Sequence, residues 1–311
     1  MLRRVLLAAS ASERVRQLIT TAPVTRDVVR RFVAGDAAAD ALAVTQRLLG
    51  RGLSVSIDYL GEDTVDPEQA TAVATEYVLL LELLARSGLT AGGRAEVSVK
   101  PTAVGLGLAE HGEKTAAENI GRICAVAQAA GTTVTVDMED HTRVDATLRL
   151  VGELRADFPD LGCVIQSYLR RSPGDCEALA VAGSRVRLCK GAYRAPDGFA
   201  FAARSEIDRS YARCLRVLLD GSGYPMLATH DPRLVAIAKS RVATIGRDAS
   251  SFEYQMLYGI RTDEQARLAG EGAQVRVYVP YGDDWYGYFM RRLAERPANL
   301  AFFLRALASK G

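Results

Sequence analysis

Eight short runs rich in β-branched and apolar residues alternate with stretches whose apolar residues recur at helical spacing, and this rhythm restricts the fold more than any other property of the chain. The runs occupy residues 53–60 (LSVSIDYL), 95–100 (AEVSVK), 133–138, 161–166, 185–190 (RVRLCK), 225–229, 252–257 and 274–279 (QVRVYV). Between the first two lies 67–87, where Ala70, Val73, Ala74, Tyr77, Val78, Leu81 and Leu84 fall three and four apart, the period of an amphipathic helix. Residues 114–130, 141–156, 201–220, 232–245 and 262–270 read the same way. Gly88, Gly131, Gly183, Gly223, Gly246 and Gly272 end these stretches just before the next run. Strands joined through helices pair in parallel, and eight such units close into a (β/α)8 barrel. A doubly wound open sheet would carry a glycine-rich nucleotide loop after its first strand. That position reads Leu60-Gly61-Glu62-Asp63, and the glycines at 105, 107 and 112 lack the required spacing. The expected architecture is α/β, a distorted TIM-type barrel over residues 51–311, with residues 1–50 as an N-terminal helical arm packed on it. Ser12 or Thr25 would cap helices of that arm.

Composition narrows the function classes. Apolar residues make up 49% of the 311 and charged residues 24%, which excludes a disordered chain. The 39 basic and 37 acidic side chains leave a net charge of +2 with no basic stripe, so nucleic acid is not an expected partner. Cys124, Cys163, Cys176, Cys189 and Cys214 are scattered and never spaced as CxxC. That argues against a disulfide framework or structural zinc and for a reducing compartment. The apolar stretch at 5–9 is shorter than a signal-peptide core, and the longest apolar run, 77–81, is too short for a bilayer. A cytoplasmic protein is expected.

A barrel enzyme carries its reactive groups at the C-terminal ends of the strands and in the loops beyond them. Those ends read Glu62, Lys100, Asp137 with Glu139, Gln166, Arg187 with Lys190, Thr229 with His230, Glu253 with Gln255, and Tyr278. A polar or ionisable group at every strand end points to a rich site at one mouth. Lys100 can be a Schiff-base nucleophile, a cation anchor or a solvated end. Asp137 can bind a metal, act as a base or partner Lys100, but with three histidines in the chain a zinc or iron site is not expected. Gly191 and Ala192, after Lys190, would let a flat ligand approach the backbone. Thr229 and Asp231 can cap the next helix or bind a ligand, and His230 can meet a phosphate or flavin oxygen. Arg291 and Arg292 lie on the last helix, whose first turns should stand over the barrel mouth, where a guanidinium pair would suit a small carboxylate.

The order of blocks carries a resemblance. Asp58-Tyr-Leu-Gly-Glu62, Val99-Lys-Pro-Thr102, Val136-Asp-Met-Glu139, Ile165-Gln166, Arg187-Leu-Cys-Lys-Gly-Ala-Tyr193, Ala228-Thr-His-Asp231, Phe252-Glu-Tyr-Gln-Met-Leu-Tyr-Gly259, Val277-Tyr-Val-Pro-Tyr-Gly282 and Arg291-Arg292 follow one another as in the proline dehydrogenases. The chain resembles the monofunctional bacterial, FAD-dependent members of that family from about residue 59 to 299. The resemblance implies oxidation of L-proline to 1-pyrroline-5-carboxylate by hydride transfer to non-covalent FAD. It assigns Asp137 and Arg187 to catalysis and Lys100, Tyr278, Arg291 and Arg292 to the proline site. It assigns Met138, Gln166, Arg187, Cys189, Lys190, Gly191, Ala192, Thr229 and His230 to the flavin site. Glu62 looks like a gate residue that pairs with Arg187 to close the site, and Lys100 is expected to pair with Asp137 as a polar floor. Cys189 stands where many relatives carry valine. The resemblance further implies a quinone-type electron acceptor, contact with the inner face of the membrane, and a downstream 1-pyrroline-5-carboxylate dehydrogenase. A competing reading is a Schiff-base or metal-assisted aldolase-type barrel with Lys100 or Lys190 as nucleophile.

Overall fold

The computed structural model describes residues 28–295. Eight parallel strands form a closed barrel: β1 (Ser54–Tyr59), β2 (Ala95–Val99), β3 (Val134–Val136), β4 (Gly162–Gln166), β5 (Arg185–Cys189), β6 (Tyr224–Ala228), β7 (Glu253–Leu257) and β8 (Val275–Tyr281). β8 closes the ring on β1 with Ser56 beside Tyr278. The helices are α1 (Ala38–Gly50), α2 (Pro67–Arg86), α3 (Gly112–Ala129), α4 (Val144–Leu154), α5 (Ser172–Leu179), α6 (Arg204–Asp220), α7 (Pro232–Ile245), α8 (Thr262–Gly270) and α9 (Trp285–Glu295). All eight expected strands are present. β3 is shorter than its apolar run and β8 extends two residues past its own. Among the described residues no helix is long and apolar enough to cross a membrane.

The strand alternation has an unusual meaning here. Parallel strands covered by helices and packed inside normally read as continuous apolar runs. In this barrel, Val55, Ile57, Val97, Val99, Val134, Val136, Val186, Leu188, Tyr254, Met256, Val275 and Val277 face outward into one apolar cluster with helix residues such as Tyr77, Leu81, Ile120 and Leu215. Residues of the other parity fill the lumen with charge. Arg185 Nη2 lies 2.8 Å from Glu96 Oε2, and Arg276 Nε lies 2.8 Å from Glu253 Oε1. Glu96 is fully buried. Burial would raise its carboxyl, but the guanidinium groups of Arg276, Arg185 and Arg187 hold it down at about 2. The hydrophobic core is therefore a sleeve around the barrel, and the lumen is a network of ion pairs.

Helix boundaries follow local chemistry. Asp66 caps α2, accepting the Glu68 N–H at 2.9 Å, with Pro67 opening the helix. Gly246 ends α7 in the left-handed conformation at φ +65°. Gly223 ends its stretch for a different reason: a Cβ there would lie 2.6 Å from the Ser184 carbonyl. α5 has no counterpart in the periodicity, because its eight residues include Pro173 and Gly174 and bury only Ser172 and Cys176.

The segment before the barrel also shapes the mouth. α1 buries Ala41, Val44 and Leu48 in the same cluster as the barrel sleeve. Val28, Val29, Phe32 and Val33 pack with Ile260, Trp285, Phe289 and Met290 in a second cluster that seats α9. Gly259, at φ +72°, lets this segment pass, since a Cβ there would sit 1.8 Å from the Arg31 carbonyl oxygen. Ser12 and Thr25, expected as helix caps, lie outside the described residues, as does the apolar stretch at 5–9.

Candidate active site

Strand ends and following loops enclose a cavity of ≈ 710 Å³ at the C-terminal mouth. Its lining includes Lys100, Asp137, Met138, Gln166, Arg187, Cys189, Lys190, Gly191, Ala192, Thr229, His230, Tyr278, Arg291 and Arg292, so fourteen of the fifteen residues that the resemblance assigned to the site meet here. The fifteenth, Glu62, bonds to one of them.

Arg187 is the centre of the polar floor. Its Nη1 donates to Asp137 Oδ1 and to Ser98 Oγ at 2.6 and 2.7 Å, its Nε to Gln255 Oε1 at 2.6 Å, and its Nη2 to Ser56 Oγ at 3.0 Å. The guanidinium also lies 5.2 Å from the centre of the Tyr278 ring. Tyr278 OH donates to the other oxygen of Asp137 at 2.8 Å. Five strands thus converge on one planar cation, and Asp137 is left with both oxygens bound. Against burial, which would lower it, the carboxylates of Asp137, Glu96 and Glu253 hold the Arg187 pKa above its usual value.

The expected partner of Lys100 is corrected. Lys100 Nζ donates to both oxygens of Asp58, at 2.8 and 2.7 Å, not to Asp137. Asp58 lies one residue before the end of β1 on the same lumen-facing parity, and Asp137 is already engaged by Arg187 and Tyr278. Burial would lower the Lys100 pKa, but Asp58, Asp137 and Glu62 together raise it. A lysine held as an ammonium is a poor Schiff-base nucleophile, which removes the physical basis of the aldolase reading at this position. Lys190, the other candidate, is bound to Asp208 at 2.5 Å and to Asp231 at 3.1 Å.

The expected gate pair is corrected as well. Glu62 Oε1 accepts from Arg291 Nη1 at 3.0 Å and Glu62 Oε2 from Tyr193 OH at 3.0 Å. Arg187 is committed to the lumen and does not reach Glu62. The ion pair joins the loop after β1 to α9 across the mouth. Burial would raise Glu62, but Arg291 and Lys100 bring it below the usual carboxylate range. Tyr193 was present in a sequence block without a role, and Asp58 likewise; the shared parity of Asp58 and Lys100 on neighbouring strands was the one available signal. Arg292, 8% exposed, stacks over Tyr288 with its guanidinium carbon 4.9 Å from the ring centre.

The opposite wall carries Gln166, Gly191, Thr229 and His230. Gly191 sits at φ +92°, and a Cβ there would come 2.2 Å from the Tyr168 ring. Gln166 Nε2 donates to the Met138 carbonyl at 3.0 Å, while its buried Oε1 has no protein partner. His230 Nε2 accepts the Leu257 N–H at 2.9 Å, which fixes the ring at the cavity edge. Asp231 caps α7, accepting the Arg233 N–H at 3.0 Å, and Thr229 Oγ1 accepts the Asp231 N–H at 3.1 Å. Asp137 and Glu139 part company: Glu139 turns away from the cavity to bind Thr102.

Comparison with known proteins identifies the family. A family model described as "Proline dehydrogenase" matches residues 41–305. The chain is 40% identical over 286 residues to "Proline dehydrogenase 1" of Bacillus subtilis, covering 92% of each chain. It is 41% identical over 285 residues to "Proline dehydrogenase" of Deinococcus radiodurans, covering 90% of each. Among solved structures, proline utilization A from Bdellovibrio bacteriovorus, inactivated by N-propargylglycine, superposes with a TM-score of 0.79 at 25% identity over 87% of this chain and 33% of that one. With a family match across most of its length, a barrel of the expected topology and relatives at 40% identity, the chain belongs to the proline dehydrogenase family.

Proposed function

We propose that this enzyme oxidises L-proline to 1-pyrroline-5-carboxylate with a non-covalently held FAD. The observation that carries the reading is a single cavity with Arg291 and Arg292 at one side, the Asp137–Arg187–Tyr278 floor, and the unpartnered Gln166 Oε1 at the other.

The residues fit the cofactor. Gln166 Oε1 is a buried acceptor awaiting a ring N–H, Gly191 and Ala192 line the cavity beside it, and Lys190 with Thr229 and His230 supplies polar contacts nearby. When bound, FAD supplies a two-electron hydride acceptor. The chain supplies the rest. Arg291 and Arg292 offer charge-assisted bonds to a carboxylate, and Arg291, which gives Nη1 to Glu62, has further N–H donors for the substrate. Tyr278 provides a face for the pyrrolidine ring of proline. The Lys100–Asp58 pair and the Asp137–Arg187 pair set a fixed field under it, which costs no reorganisation during reaction. The reaction removes a hydride from the ring CH2 next to nitrogen and a proton from the amine. A neutral bound amine needs no strong base, and closure by Glu62–Arg291 would exclude water. A quinone-type acceptor, transient contact with the inner face of the membrane, a cytoplasmic location and a downstream 1-pyrroline-5-carboxylate dehydrogenase complete the reading.

The test is an anaerobic visible spectrum of the purified protein with and without L-proline. A yellow protein that releases FAD on denaturation and bleaches with proline supports the reading; a colourless protein that binds no added FAD overturns it.

A further inference from the structure

Glu139 takes no part in the chemistry above, yet it is buried at the end of β3 and 3% exposed. One residue engages both of its oxygens. Thr102 donates its N–H to Oε2 at 2.9 Å and its hydroxyl to Oε1 at 2.5 Å. A carboxylate accepts both bonds at once, whereas a carboxamide or a protonated acid replaces one acceptor with a donor.

Thr102 in turn faces the loop after β1. Its Oγ1 accepts the Asp63 N–H at 3.0 Å and its carbonyl accepts the Thr64 N–H at 3.2 Å. Thr64 Oγ1 adds a bond to the Ala103 carbonyl at 3.1 Å. Between these anchors Asp63 adopts φ +56°, a left-handed conformation that costs a non-glycine residue energy and persists where its surroundings impose it. The residue before it is Glu62, whose carboxylate holds Arg291 across the mouth. A continuous chain of hydrogen bonds therefore runs from β3 to the pair that closes the site.

We propose that Glu139 is a positioning residue for the Glu62–Arg291 pair: through Thr102 it fixes the loop at 61–64 and so sets how firmly the mouth closes over the bound amino acid. The statement about substrate rests on the proline reading given above; the statement about the loop does not.

The groups facing Glu139 are Thr102 and Lys100 from the β2 end, Glu62 from the loop after β1, and Tyr193 from the loop after β5. Burial pushes its carboxyl up to about 7, with Thr102 and Lys100 pulling the other way. The anion, and with it both bonds to Thr102, is fully present only above that value. Anchoring should weaken as pH falls through it.

The experiment compares FAD-loaded wild-type protein with Glu139→Gln and with Thr102→Val, which leaves the carboxylate in place and removes only the hydroxyl. Amide hydrogen exchange is followed for residues 61–64, and KM and kcat for L-proline are measured from pH 6 to 9. We expect faster exchange of these amides in both variants, a KM raised roughly tenfold above pH 7 from weakened charge-assisted bonds, and kcat within about twofold with flavin content unchanged. The ratio of KM between Glu139→Gln and wild type should shrink toward one below pH 6. On a Glu62→Gln background neither substitution should raise KM further, because the pair they position is already broken. Wild-type exchange rates at 61–64 in both variants, or KM effects that add in full on the Glu62→Gln background, would overturn the proposal. A wild-type protein inert toward proline defeats the functional reading instead, and the exchange rates still decide the anchor.

Discussion

Arg187 Nη1 stands 2.6 Å from Asp137 Oδ1 in the barrel lumen, and neither group is solvated: their side chains are 5% and 11% exposed. A buried pair of this kind is weak evidence for stability, since burying both charges costs about as much as their attraction returns. Breaking it from one side is another matter. Arg187→Met would leave Asp137 with only the Tyr278 hydroxyl, and it would strand the acceptors of Gln255 and two serines. We expect a loss of about 3–5 kcal/mol in unfolding free energy together with loss of turnover. Adding Asp137→Asn to Arg187→Met should restore part of the stability and none of the activity. Denaturant unfolding of the two singles and the double gives the coupling; purely additive values would mean that the two groups do not act as a pair.

Arg291 and Arg292 differ in what holds them, so their substitutions should differ. Arg291 gives one N–H to Glu62 and keeps others for substrate, whereas Arg292 is buried against Tyr288. Arg291→Met and Arg292→Met should each raise KM for proline by one to two decades, as expected for roughly 1.5–3 kcal/mol per lost charge-assisted bond. Arg292→Met should also lower the melting temperature, because it removes a buried packed side chain. Flavin content should stay at wild-type level in both. An unchanged KM in either would mean that this arginine does not bind the carboxylate.

Lys100 is predicted to act by charge and never by bonding to carbon. Its ammonium neutralises Asp58, which is fully buried beneath the cavity. Lys100→Met should therefore be worse than Lys100→Met with Asp58→Asn in stability, by a margin set by one uncompensated buried carboxylate, about 3 kcal/mol. Lys100→Arg keeps the charge but brings a larger planar head into the floor, and turnover should fall at least tenfold with flavin retained. Borohydride treatment in the presence of a carbonyl compound should trap nothing at Lys100. A trapped adduct there would contradict the ion pair.

How much of this was legible without coordinates depends on the kind of feature. The strand runs and most helices were, because apolar period is a local property of the chain. The lumen-facing parity of Lys100, Asp137, Arg187 and Tyr278 was too, since side chains alternate along a strand. Partner choice was not. Asp58 and Asp137 flank Lys100 on neighbouring strands, and only the closed barrel shows that Arg187 reaches across the lumen to Asp137 and so leaves Asp58 to the lysine. The same reach explains why Arg187 cannot be the partner of Glu62. α5 was illegible for a different reason: eight residues with a proline, a glycine and two buried side chains carry almost no periodic signal.

The last prediction uses Glu139 as a probe of proton linkage. Burial raises its carboxyl from the ordinary 4.5 to about 7 in the folded protein. Between those values the folded chain keeps a proton that the unfolded chain has released, so unfolding stability falls as pH rises through the window. The full contribution is about 3 kcal/mol, at 1.36 kcal/mol for each unit. It is complete only above pH 7. Other carboxylates titrate too, and Glu96, held at about 2, acts in the opposite sense and at lower pH. The comparison that isolates Glu139 is therefore the difference in unfolding free energy between Glu139→Gln and wild type, measured at pH 4.5 and again at pH 8. At the lower pH the lost acceptor should leave the variant equal to wild type or slightly weaker. By pH 8 the difference should have moved in favour of the variant by about 2–3 kcal/mol, because glutamine has no proton to release. A difference that stays constant from pH 4.5 to 8 would mean that the carboxyl titrates normally, and that the buried site between Thr102 and Lys100 is wetter or better compensated than its geometry implies.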